Sequence, residues 1–286
     1  MVEIPFRGIF NNNNSDGQKG RHGIRHIKQR GAKMSIKPIS VQLYSVRDEA
    51  AKDFKGVLKK IADIGYKGVE PAGFNGMTPA EFRKTVEDLG MVISSSHGPW
   101  ANPDNLGEVV DTAKILGIDL VSTGFGPNEF KDLDAIKKTA DTVNKMVETL
   151  NKSGLKLFMH NHNWEFDKVN GRIAYDIFAE LCPGVLFEID TYWAANFGAN
   201  DPAEQVAKFK KRTPLLHIKD GPLVKDSAMV AVGKGKMKIP EVIKAADPSV
   251  LRWLVVELDR CDTDMMEAIR QSYQYLTKNK LAEGRK

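Results

Sequence analysis

The sequence predicts a (β/α)₈ barrel preceded by a basic tail, on three observations. Short β-branched runs alternate with longer amphipathic ones, the order of βα units in a parallel sheet. Eight such units fit between residues 38 and 286. No glycine-rich phosphate loop follows the first run, where Gln42, Tyr44 and Arg47 stand, which argues against a doubly wound sheet.

The strand runs are residues 39–46, 68–71, 91–97, 120–123, 155–162, 185–191, 215–219 and 253–258. Helical runs fall at 53–64, 78–89, 103–116, 132–152, 172–181, 202–212, 239–246 and 263–277. Thr78, Pro79 and Glu81 read as an N-cap, a first-turn proline and a capping acid. Gly90, Gly117 and Gly154 stand where helices should end.

Composition narrows the function classes. At 42% hydrophobic and 28% charged, the chain of 286 residues has ordinary globular usage, and no run of 18 apolar residues offers a transmembrane helix. Cys182 and Cys261 are too few and too distant for a disulfide framework. The net charge of +5 is misleading as a nucleic-acid signal. Residues 1–37 carry eight Lys or Arg against Glu3 and Asp16, so residues 38–286 sum to about −1. The tail, with Asn11 to Asn14 and little apolar periodicity, is expected to be disordered and lacks a signal-peptide run, which points to the cytoplasm. Met34 reads like a natural start, so residues 1–33 are expected to have no role in function. The expected division is therefore a tail at 1–37 and a barrel at 38–286.

Polar side chains at the carboxyl ends of barrel strands point into the mouth, where chemistry is done. Four of the six histidines, His97, His160, His162 and His217, fall at such ends, as do Glu70, Glu188, Asp190, Glu257 and Asp259. Trp100, Trp164 and Trp193 follow the third, fifth and sixth strands, placed either to wall the apolar face of a sugar ring or to pack between loops. Several buried imidazoles and carboxylates at one end would be costly without a purpose. His with Asp or Glu, without Cys, suits one divalent metal ion with open positions, and these residue types do not choose among Mn²⁺, Co²⁺, Zn²⁺, Fe²⁺ and Mg²⁺; Mn²⁺ is the expected one.

The segments Val41–Arg47, Met159–Phe166, Phe187–Trp193, Leu215–Asp220, Val232–Gly235 and Val255–Asp259 resemble the sugar phosphate isomerase/epimerase family of the xylose-isomerase-like TIM-barrel superfamily. That superfamily also contains ketose 3-epimerases, inosose-processing enzymes and endonuclease IV. The resemblance covers residues 38–280. It implies metal ligands at Asp190, His217 and Glu257, with His160 as the fourth, standing where the epimerases carry Glu. Trp193 likewise replaces a substrate-contacting His. It further implies proton abstraction beside a carbonyl through an enediolate, with Glu257 and a neutral His160 as bases. Lys219 is expected either to stabilise the enediolate or to be a solvated strand-end charge. Substrate contacts are expected from Glu70, His97, Trp100, His162, Glu165 and Trp193.

With one of the epimerases' two glutamates missing, a dehydratase or lyase acting by β-elimination on a keto sugar or keto-glycoside is the alternative. A non-catalytic sugar-binding barrel and an endonuclease IV-like enzyme rank lower, since four barrel histidines and a near-neutral barrel suit a metal cluster on DNA poorly. The expected partner is a small-molecule sugar or derivative, with no nucleic acid and no membrane; barrels of this kind often form homo-oligomers.

Overall fold

The computed structural model describes residues 36–285. The expected tail lies outside them except at its end, where Lys37 already opens a strand. The order is β1 (Lys37–Gln42), α1 (Arg47–Ile64), β2 (Gly68–Glu70), α2 (Pro79–Asp88), β3 (Val92–Ile93), α3 (Leu106–Leu116), β4 (Leu120–Thr123), α4 (Leu133–Lys152) and β5 (Lys156–His160). It continues with the hairpin β6 (Lys168–Val169) and β7 (Arg172–Ile173), α5 (Ala174–Leu181), β8 (Leu186–Asp190), α6 (Thr191–Ala194) and α7 (Pro202–Phe209). Last come β9 (Leu215–Ile218), α8 (Ile239–Ala245), β10 (Trp253–Val256), α9 (Met265–Lys278) and β11 (Ala282–Glu283).

Eight strands lie side by side in the order β3-β2-β1-β10-β9-β8-β5-β4, all parallel, and β11 joins the start of β1. The ends of this path meet through the chain after β3: Ala101 N donates to Ser122 O at 2.8 Å, and Thr123 Oγ1 donates to Ala101 O at 2.9 Å. Helices cover the outside, as parallel strands buried on both faces require.

Local chemistry explains the boundaries. The capping box at α2 is present, Glu81 N donating to Thr78 Oγ1 and Thr78 N to Glu81 Oε2 at 2.8 Å. Gly117 ends α3 at φ 72°, a conformation a side chain would disfavour. The first strand stops at Gln42, not Val46, because the Gln42 side chain accepts from Tyr44 N and a 3₁₀ turn follows. Helix α1 starts six residues before the expected Asp53. Asp53 itself leaves helical geometry, and its Oδ1 caps Gly56 N at 2.9 Å, an internal cap at the residue where the helical run is expected to begin. Of the expected third strand only Val92–Ile93 is regular, although Ser94 N and His97 N still bond to Val69 O and Pro71 O beside β2. The β6–β7 hairpin and α6 carry no sequence signal strong enough to predict them.

Alternation along the strands layers the barrel interior. Leu120, Phe158 and Leu215, with Leu186 and Trp253 packed against them, form an apolar floor. Two residues further along their strands stand His160, His217, Glu188 and Val255; two beyond again stand Lys219, Asp190 and Glu257. On β8, β9 and β10 one face thus passes from hydrocarbon to charge.

The loop after β9 hangs on one carboxylate. Asp220, fully buried, accepts from the amides of Gly221, Gly233, Gly235 and Met237 at 2.8–3.0 Å. A Cβ at Gly235 would lie 2.1 Å from Asp220 Oδ1 and 2.4 Å from Gly221 N, so the glycines of Val232–Gly235 serve this internal anion. Asp220→Ala leaves four amides without their acceptor and should lower stability by about 3 kcal/mol or more, read as a fall in the thermal midpoint. An unchanged midpoint would show that other groups hold the loop.

Candidate active site

Register brings the strand-end residues together. Ladder pairs set His160 beside Glu188, Asp190 beside His217, and Gln42 beside Glu70. His217 sits at the centre: its Nδ1 lies 2.7 Å from Glu257 Oε2, and its Nε2 lies 2.8 Å from Glu70 Oε1 and 3.1 Å from Glu188 Oε1. Glu70 also accepts from Gln42 Nε2 at 2.6 Å and from Ser95 Oγ, so its orientation is fixed. Glu188 Oε2 meets His97 Nε2 at 2.5 Å and His160 Nδ1 at 3.2 Å.

Lys219 is the cation of the cluster. Its Nζ lies 2.8 Å from each of Asp190 Oδ2, Glu257 Oε2 and Asp259 Oδ2, and it is 1% exposed. That corrects the reading of Lys219 as a solvated strand-end charge. Direct donation to an enediolate is also not what the geometry offers, because three carboxylates surround the ammonium and it does not line the mouth cavity.

Burial and charge divide the titratable groups. Burial drives His160 well below its ordinary value, and the neighbouring His217 and His97 push the same way, so this imidazole is neutral at pH 7. Burial, with Lys219, lowers His162 to about 4. For His217 burial alone would favour the neutral ring, but Glu188, Glu70 and Glu257 outweigh it and raise the value well above normal. Burial likewise opposes ionisation of Glu257, and Lys219 and His217 outweigh it, holding the carboxylate ionised. Asp190 is raised by burial to about 6, against the pull of Lys219 and His217.

A cavity of about 380 Å³ opens at this end of the barrel, lined by Tyr44, Ala72, His97, Trp100, His160, His162, Trp193, Glu257 and Asp259. Four expected substrate contacts, His97, Trp100, His162 and Trp193, therefore face it. Glu70 and Glu165 do not: both are fully buried, Glu70 committed to His217 and Glu165 Oε2 accepting from His162 N at 2.9 Å. Trp164 is packing rather than wall, stacked on His162 at 4.2 Å and donating to Phe125 O. Trp100 reaches the mouth because Gly124 makes room: a Cβ there would lie 2.3 Å from its ring.

Glu188, Asp259 and Tyr44 are the contributors that the sequence-based set omits. Glu188 and Asp259 read as strand-end carboxylates without an assigned role, although Glu188 precedes Asp190 by two and so shares its face. Glu165 gives a pH-dependent signature. Burial pushes its carboxyl up to about 8, against the His162 amide. The folded state therefore binds more protons than the unfolded one between roughly pH 4.5 and 8, and stability falls as pH rises through that window, by at most about 1.4 kcal/mol per pH unit. Glu165→Gln should flatten the thermal midpoint across it; an unaltered pH profile would contradict this origin.

The donor set suits a divalent cation. His160, Asp190, His217 and Glu257 each offer one donor atom, all within 4.8 Å of one another, and His97, His160, Glu188 and His217 form an overlapping group. Ligand atoms about 2.1 Å from one ion lie within about 4.2 Å of each other, close to this spread. His217 Nε2 lies against Glu70, the carboxylate–histidine pairing used in metal sites, and a dication on the side of Glu257 would take the place of the Nδ1 proton. Asp190 Oδ2, wholly buried, has no hydrogen bond of acceptable geometry despite its nearness to Lys219. Four buried carboxylates, Glu70, Glu188, Asp190 and Glu257, share the site with the Lys219 ammonium and the rings of His217 and His97, an excess of negative charge that a dication would offset.

Comparison with known proteins agrees with this fold. A sugar phosphate isomerase/epimerase from Parabacteroides distasonis is 25% identical, with TM-score 0.70 over 88% of this chain and 97% of that one. An L-ribulose 3-epimerase is 16% identical, with TM-score 0.64 over 86% and 95%. A probable 3-DHS dehydratase from Bacillus anthracis is 11% identical, with TM-score 0.65 over 84% and 98%. No curated protein gives a significant match. Residues 58–279 match the family profile described as xylose isomerase-like TIM barrel, and with eight parallel strands carrying histidines and carboxylates at one end, the chain belongs to that family.

Proposed function

We propose that the protein is a divalent-metal-dependent sugar isomerase or epimerase that moves a proton on a carbon beside a carbonyl. The carrying observation is the convergence of His160, Asp190, His217 and Glu257 at the base of a cavity walled by Trp100 and Trp193. These four residues would hold the metal, Mn²⁺ being the best candidate, and the ion when bound would supply Lewis-acid polarisation of the sugar's carbonyl and neighbouring hydroxyl oxygens.

The chain's own residues do the rest. Trp100 and Trp193 offer flat apolar walls to a sugar ring. Glu257, ionised and lining the cavity, can take the proton from carbon on the oxygen that the metal would leave free; His160, neutral and facing the same cavity, is the second group able to carry one, but only while its single lone pair is not given to the metal. Lys219 keeps Asp190 and Glu257 charged and apart, so that neither takes the proton from the other. Glu70 and Glu188 orient the rings of His217 and His97.

The inequality of the two bases favours elimination as a second reading. A neutral imidazole and a lysine-bound carboxylate are not matched partners for proton exchange on both faces of a carbon, whereas loss of a leaving group after one deprotonation needs one base. Mass spectrometry of metal-loaded enzyme in D₂O with ketoses, aldoses and 3-keto sugars separates the two. Deuterium in a product of substrate mass is expected for isomerisation or epimerisation; loss of water or of an aglycone would replace that reading with elimination, and absence of both would refute the activity.

A further inference from the structure

The mouth cavity has a neighbour across Trp193. The indole and Asp259 also wall a second cavity of about 260 Å³, whose other side is formed by Phe197, Val224, Lys225 and Arg260. That volume equals roughly nine liquid waters, enough for one sugar ring with its hydroxyls. We propose that the substrate carries two rings: the reacting sugar lies against His160 and Glu257, and a second, uncharged ring joined through a glycosidic bond passes over Trp193 into this neighbouring cavity. The inference rests on the function proposed for the same site and names its substrate class as a glycoside or disaccharide.

The lining supports an uncharged ring. Trp193 and Phe197 meet edge to face at 6.0 Å and 80°, and both line the second cavity. Phe197 is held at φ 56°, after Asn196 at φ 42°, left-handed conformations that side chains seldom adopt. Asn196 is fixed by a 2.8 Å hydrogen bond from its Nδ2 to Asp167 Oδ1. Val224 stands at the rim, 51% exposed, with the preceding Leu223 N bonded to Tyr192 Oη at 3.2 Å. The charges cancel, Lys225 and Arg260 standing with Asp226 and Asp259, so the lining supplies hydroxyl-binding groups without a net field for a phosphate.

The test compares D-glucose and D-fructose with cellobiose and lactulose, the same two sugars carrying a second β-linked ring, and with the phosphate esters of the single sugars. Binding is read by calorimetry and chemistry by deuterium uptake in D₂O, with metal-loaded full-length protein. Binding energy from the remote ring should raise kcat/KM for the two-ring sugars at least about ten-fold over the single ones. Val224→Trp, which fills the second cavity from its exposed rim, should erase most of that preference; Phe197→Ala should weaken it. Single sugars reacting as well as their two-ring counterparts, or Val224→Trp slowing both equally, would overturn the second-ring site while leaving the proposed chemistry standing. Faster reaction of the phosphate esters would overturn the uncharged occupant. A result of neither binding nor exchange with any of these sugars would overturn this inference, while the proposed function would stand or fall on the wider panel that includes the 3-keto sugars.

Discussion

Replacing Asp190 or His217 with alanine is expected to strip the metal and lower turnover by about 10³-fold or more, since loss of the Lewis acid removes several kcal/mol of transition-state stabilisation. The two residues are adjacent across the β8–β9 ladder and share the cluster with His160 and Glu257. Asp190→Asn is the more discriminating change. Asp190 Oδ1 accepts from Tyr192 N and Trp193 N at 3.1 and 3.0 Å, bonds that an amide oxygen can keep, whereas Oδ2 faces Lys219 and His160 and would lose its charge. The barrel should therefore remain folded by circular dichroism while elemental analysis finds the metal gone. Full metal content in the Ala variants at both positions would refute the ligand assignment.

Lys219→Met should produce the largest change in stability. The ammonium is buried among Asp190, Glu257 and Asp259, and its loss leaves buried carboxylates unpaired, an effect of about 3–5 kcal/mol. The sign of the metal response separates this electrostatic role from mere packing. A dication binding the same carboxylates partly replaces the lost charge, so added Mn²⁺ should raise the thermal midpoint more in Lys219→Met than in the wild type. An equal or smaller rise would mean that Lys219 does not share these carboxylates with the metal.

Much of the barrel was legible in the sequence because both of its periodicities are regular. The fourth strand lies at residues 120–123 as read, and α2, α4, α8 and α9 fall within two residues of their expected limits. Boundaries shifted where a side chain competed with the backbone ladder, as Gln42 does at the end of β1 and Asp53 does inside α1. In the site, alternation on one strand predicts which residues point inward, but not how deep each stands once strands from distant parts of the chain are set in register. Glu70 and Glu188 were therefore visible as strand-end carboxylates, while their service to His217 and His97 became evident only from the ladder pairs. The fate of Lys219 was hidden for the same reason: its three carboxylates come from the ends of β8 and β10, up to 40 residues away.

The most direct test of the central claim is the metal itself. Elemental analysis of the purified protein, before and after chelation and reloading with Mn²⁺, should find one equivalent of divalent metal bound to the four-residue set, with deuterium exchange into sugar lost on chelation and restored on reloading. A protein that holds no divalent metal, or that exchanges deuterium equally well without it, would contradict the account.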